Sequence, residues 1–251
     1  MRKMFIIIDK SKLYISIGCF ILIGIILLLV THNYIHAISI EAPQVDVVLD
    51  AGHGGFDGGA SGAKGALEKD INLAITLKLR EKLITEGISV GLTRESESAV
   101  GSTKKKDMHF RRDFTNASNP KIFITIHQNA FPSSTESGAQ IWYSKNNPES
   151  KNFGSNMQTA LKEINPQNRR IEKQADSSMF LLKHLTMPAI LIECGFLSSP
   201  EEEQLLTQDN YQEKFTEVLK KGILTELERL KTIPTPSTVP TTPIISPQTS
   251  N

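Results

Sequence analysis

Val45-Asp46-Val47-Val48-Leu49-Asp50-Ala51-Gly52-His53-Gly54-Gly55 is the stretch on which the fold of this chain turns. Val45 to Asp50 is rich in β-branched residues and predicts a strand. The glycines that follow predict a tight loop, so the strand delivers His53 at its C-terminal end. The same device recurs twice. Ile122 to Ile126 predicts a buried strand that presents His127, and Met187 to Glu193 an apolar strand ending at a carboxylate. Between the first two lies Glu68 to Glu86, with Ile71, Ala74, Ile75 and Leu73, Leu77, Leu83, Ile84 at helical spacing and Gly87 closing the helix. Strands at Ile88–Leu92 and Ile141–Tyr143, a short basic helix at Met108–Ala117, a helix at Ser150–Ile164 and an amphipathic helix at Asn210–Leu230 complete the pattern. Strands alternating with helices predict an α/β sandwich with a partly parallel sheet.

The rest of the chain bounds the setting. Its 251 residues leave room for one ordinary domain with appendages. The net charge of +1 gives no basic face for nucleic acid. Lys104-Lys105-Lys106 reads as a solvated loop or as a contact for anionic wall polymer. Two cysteines, Cys19 in an apolar run and Cys194 in a predicted core strand, do not suggest a disulfide framework. Residues 1–12 are basic, and 13–30 are apolar and uncharged, long enough to span a bilayer with the following chain outside. This segment reads as a membrane anchor or as a signal cut near Ala37-Ile38-Ser39, and both readings export the domain. A linker at 31–44 then leads to a domain at 45–231. The tail, 232–251, is rich in Pro, Thr and Ser and predicts disorder.

His53, His127 and Glu193 therefore stand at the ends of three apolar strands, the edge at which open α/β sheets build sites. Glu68 joins them at the head of the first helix. Two histidines and one carboxylate make the ligand set of a catalytic zinc centre with one open position. A carboxylate at the end of Ile190-Leu191-Ile192 is costly to bury unpaired, and beside a metal site Glu193 can take a proton and return it to a leaving amine. Hydrogen-bonded structural histidines remain the alternative on spacing alone. The glycine loop lacks the Gly-Lys-Ser/Thr ending of a nucleotide loop.

At this point the residues resemble a known family. Leu49-Asp50-Ala51-Gly52-His53-Gly54-Gly55-Phe56-Asp57-Gly58-Gly59-Ala60, Leu67-Glu68-Lys69-Asp70, Thr93-Arg94, Ile126-His127-Gln128-Asn129-Ala130 and Ile192-Glu193-Cys194-Gly195-Phe196-Leu197-Ser198 are similar, in order, to the motifs of the type 3 N-acetylmuramoyl-L-alanine amidases. The resemblance covers about Val45 to Leu230. It implies a single mixed sheet flanked by helices on both faces, zinc held by His53, Glu68 and His127, and Glu193 as the catalytic carboxylate. It implies peptidoglycan as substrate, cut between the lactyl group of N-acetylmuramic acid and L-alanine. The alternatives within this chemistry are a zinc peptidase acting inside the stem peptide and a vegetative wall or cell-separation amidase. The compact layout is most like the germination-specific branch in spore formers. That branch implies work in cortex maturation, with a muramic acid deacetylase acting next to form muramic lactam. Arg94 and Asn129 are the candidate substrate contacts, alongside structural readings as an ion pair and a partner of His127. Ser199 and Gln128 depart from the family pattern.

Overall fold

The computed structural model describes residues 14, 17–28 and 42–233. The chain divides into two units, residues 1–41 and 42–251. In the first, residues 17–28 are helical and expose Phe20, Ile21 and Leu22. Among the described residues no helix is long and apolar enough to cross a membrane. The basic segment at 1–12, the candidate cut at 37–39 and residues 234–251 of the tail lie outside the described residues.

The second unit is built on one six-stranded sheet. Its strands are β1 (Val47–Ala51), β2 (Val90–Leu92), β3 (Ile122–Asn129), β4 (Gln140–Tyr143), β5 (Lys173–Gln174) and β6 (Ala189–Phe196), in the order β2-β1-β3-β6-β4-β5. β2, β1, β3 and β6 run parallel, β4 pairs antiparallel with β6, and β5 pairs parallel with β4. The sheet is therefore mixed, as the resemblance implies.

The strand period of two divides the side chains between two faces. Leu49, Ile124, Ile126, Ile141, Ile190 and Ile192 point to one face. They pack against α1 (Glu68–Thr85), α3 (Glu149–Ala160) and α6 (Asp209–Lys231), which supply Ile71, Ile75, Leu79, Phe153, Met157, Phe215 and Leu219. Val48, Phe123, Ala189 and Leu191 point to the other face. There α2 (Lys104–Ser118) and α4 (Phe180–His184) cover them with Met108, Phe114, Leu181 and Leu182. A sixth helix, α5 (Pro200–Leu206), starts at Ser199, whose side chain accepts from the Glu202 amide and caps it.

Three differences from the sequence reading have local causes. The helix expected at Met108–Ala117 begins at Lys104, so the triple-lysine run is its exposed first turn rather than a loop. The Thr103 side chain caps it, and the Asp107 carboxylate accepts the amides of Val100 and Gly101. Three cations at a helix head oppose the dipole, and these bonds offset that cost. β3 and β6 run on past His127 and Glu193, because a register irregularity between His127 and Asn129 lets the ladder continue to Phe196. β5 and α4 are too short to leave a periodic signal.

Asp46 ties together the N-terminal ends of the three neighbouring parallel strands. It accepts from Lys121 Nζ at 2.7 Å, and from the Ser89 hydroxyl at 2.6 Å and amide at 3.0 Å. The bonds to Lys121 and Ser89 hold its carboxyl down at about 2. A depressed folded-state pKa gives stability that is complete above the ordinary carboxylate range and is lost as pH falls towards 2. Lys121 is largely exposed, so screening reduces the effect. Asp46→Asn is expected to cost about 1 kcal/mol at pH 7. Urea unfolding should show the gap between variant and wild type narrowing at pH 3.

Candidate metal centre

Register places the site. His127 on β3 pairs directly with Glu193 on β6, and Glu193 pairs with Gln140 on β4. All three side chains lie on the α2 face in one row, at the spacing that lets cross-strand neighbours interact. His53 enters from the loop after β1, and its backbone φ is +62°, a left-handed conformation that L residues rarely adopt. Glu68 is the first residue of α1 and is buried.

Among the described residues, His53, Glu68 and His127 offer ligand atoms that all lie within 4.8 Å of one another. His53 Nε2 is 3.2 Å from Glu68 Oε2, and His127 Nδ1 is 2.9 Å from Glu68 Oε1. The rings meet edge to face with centroids 5.0 Å apart. Four ligands at zinc bond lengths stand about 3.4 Å from one another, so the three residues fit a small divalent ion with little movement. Two glycines shape the cradle. A Cβ on Gly52 would strike the His127 ring, and one on Gly59 would strike Glu68 and His53. Gly59, with φ of +69°, also has a backbone that favours glycine.

Glu68 is held independently of any ion. Its Oε2 accepts the Ala60 amide at 2.8 Å and its Oε1 the Gln128 amide at 3.1 Å. Asn72, one turn along α1 and fully buried, donates to the Gly52 carbonyl and to Glu68 Oε1, and accepts from Gln128 Nε2 at 3.1 Å. Burial alone pushes the Glu68 carboxyl up, but the hydrogen bonds and charges of His127 and His53 hold it far below the carboxylate range. Glu193 goes the other way. Burial, with a further push from Glu68, raises it to about 7 against the pull of the histidines. Its Oε2 is buried without a hydrogen-bond partner.

Arg94, a candidate substrate contact with a structural ion pair as its alternative, is turned inward. It is buried and donates to the carbonyls of Ala51, Gly52, Ser96 and Lys69. It pins the glycine loop to the head of α1. Asn129 lies beyond the bulge, half-buried, and its carbonyl accepts the Leu197 amide at 2.8 Å. Arg111 lies on α2, which the sequence predicts only as a short basic helix. It is buried, paired with Asp50 at 2.7 Å and Asp107 at 2.6 Å, and donates to the carbonyls of Ala51 and His53. Asp107 precedes it by one helical turn on the same helix, a spacing that hints at the pair. The partner 61 positions away, Asp50, left no such mark. Trp142 and Tyr143 pack on opposite faces of the sheet, and Cys194 is a buried free thiol in the core.

The sequence pattern of the N-acetylmuramoyl-L-alanine amidases matches residues 47–225. The germination-specific N-acetylmuramoyl-L-alanine amidase of Bacillus subtilis is 38% identical over 186 residues, covering 71% of this chain and 78% of the relative. The amidase AmiA of Escherichia coli is 25% identical over 221 residues, covering 71% of this chain and 74% of the relative. Among solved structures, the CwlD amidase of Clostridioides difficile, determined in complex with the GerS lipoprotein, matches with a TM-score of 0.70 and 40% identity, over 74% of this chain and 99% of that one. The catalytic domain of CwlV from Bacillus (Paenibacillus) polymyxa matches with a TM-score of 0.66 and 28% identity, over 73% of this chain and 98% of that one. The matching sequence pattern, the 38% identity to a relative and the likeness to solved structures together show that this chain belongs to the N-acetylmuramoyl-L-alanine amidase family.

Proposed function

We propose that the chain is a zinc-dependent peptidoglycan hydrolase that cuts between the lactyl group of N-acetylmuramic acid and L-alanine, outside the cytoplasmic membrane. Its role would be in spore cortex, ahead of the deacetylation that leads to muramic lactam. The likeness to a germination-specific relative supports the setting. The apolar run at 13–30 supports export and a membrane tether.

The observation that carries the chemistry is the row on the α2 face. His53, Glu68 and His127 converge on one point, and Glu193 stands beside His127 on the next strand. In this reading the two imidazoles and the Glu68 carboxylate hold the ion. Zinc there would supply Lewis acidity, polarising the scissile carbonyl and easing deprotonation of water. The remaining work belongs to the chain. Glu193 Oε2 has no partner to share its proton, and a carboxyl displaced to about 7 can accept and release one near neutrality. It takes the proton of the attacking water and hands it to the departing amine of L-alanine. Asn129, just past the bulge, contacts the substrate.

Zinc content and bond specificity test the reading. The purified full-length chain should carry close to one zinc and release new L-alanine amino termini from purified wall or cortex. Chelation should stop release, and added zinc should restore it. Stems shortened from within, with the muramic linkage intact, would replace this reading with a peptidase.

A further inference from the structure

His53 is the weakest-held of the three ligands by backbone criteria. Glu68 begins a helix and His127 sits in a central strand, whereas His53 occupies a glycine loop in a strained left-handed conformation. Such strain persists only where neighbours over-determine it. Arg111 Nη2 grips the His53 carbonyl at 2.6 Å. The ring has its own partner. His53 Nδ1 lies 3.0 Å from Asp57 Oδ1, on the side away from Glu68.

Asp57 is well placed to hold a ring still. Its backbone bridges Gly54 in both directions, with Gly54 N to Asp57 O at 2.8 Å and Asp57 N to Gly54 O at 3.1 Å. Its Oδ1 also accepts the Gly59 amide at 3.3 Å. Its Oδ2 faces Lys104 Nζ at 3.3 Å, on the exposed first turn of α2.

We propose that Asp57 is a positioning residue that fixes the tautomer and tilt of His53, and that Lys104 steadies it from the head of α2. The inference rests on the metal reading above and deepens it. A neutral imidazole carries one proton, which two carboxylates compete for. On Nε2 the proton would point at Glu68 Oε2, 3.2 Å away, and would occupy the lone pair that a metal needs. On Nδ1 it bonds Asp57 and leaves Nε2 bare. Asp57 thus decides the competition before an ion arrives, as outer carboxylates do for ligating histidines.

The test compares Asp57→Ala, Asp57→Asn and Lys104→Ala in the full-length chain, by chelator competition for zinc and by ¹⁵N NMR of the His53 ring without metal. Asp57→Ala should weaken zinc binding by about 10- to 100-fold and move the proton from Nδ1 to Nε2. Asp57→Asn keeps an acceptor oxygen and should lose less. Lys104→Ala should cause the smallest loss, and none once Asp57 is already alanine. Melting temperatures of the metal-free variants should stay near wild type, which separates positioning from folding. Wild-type affinity in Asp57→Ala, or an unchanged tautomer, would overturn the proposal. If Asp57→Ala does not fold, unchanged affinity in both Asp57→Asn and Lys104→Ala overturns it. If wild type binds no zinc, the metal reading fails, and the tautomer in metal-free protein still decides the role of Asp57.

Discussion

Glu193→Gln is expected to lower release of L-alanine amino termini by about 10²- to 10⁴-fold, the span that a positioned general acid–base contributes. The same variant should keep its zinc and its fold. Glutamine matches glutamate in shape, so the row of His127, Glu193 and Gln140 keeps its packing. Burial raises the Glu193 carboxyl, so its charge is a cost to the fold of the metal-free chain, and its removal should not lower the melting temperature. Only the capacity to accept a proton disappears. Parallel measurement of zinc content, melting temperature and turnover separates these effects. A variant that holds zinc, melts normally and turns over at the wild-type rate would remove Glu193 from the chemistry. A variant that loses zinc would instead make Glu193 part of the metal shell.

Much of this architecture is legible in the sequence because its signals are local. Val47–Leu49, Ile122–Ile124 and Ala189–Ile192 are unbroken apolar runs, and buried parallel strands read that way. Each is followed by a residue whose burial needs a reason. The convergence of His53, Glu68 and His127 follows from strand order, which the alternation of elements constrains and the family motifs supply. What escapes is long-range and polar. Arg94 spends its fork on carbonyls of two separate segments, and nothing around Thr93-Arg94 in the sequence records that. Asn72 and Gln128 lie 56 positions apart and meet only because α1 packs on β3. His53 and Asp57 stand four positions apart, but in a glycine loop that spacing has no periodic meaning until the backbone is known.

Arg111 carries the largest expected effect on stability. Its guanidinium lies between Asp50 and Asp107, all three buried, and it also satisfies the carbonyls of Ala51 and His53. Burial alone pushes the Asp50 carboxyl up, but Arg111 and the hydroxyls of Thr125 and Thr93 bring it below the ordinary range. Arg111→Met keeps much of the apolar stem and removes every donor. Two buried carboxylates then lose their shared counter-charge, and removing one partner of such a pair typically costs about 3–5 kcal/mol. For a domain of this size that is a fall of roughly 10–15 °C in melting temperature. Adding Asp50→Asn should recover part of the loss, because it deletes one stranded charge while leaving an acceptor for Thr93 or Thr125. Calorimetry of the metal-free wild type, Arg111→Met and the double variant measures this directly. Recovery in the double variant would locate the cost in the uncompensated charge. No recovery would locate it in the carbonyls of Ala51 and His53, and would make the strained metal-facing loop the element that Arg111 chiefly sustains.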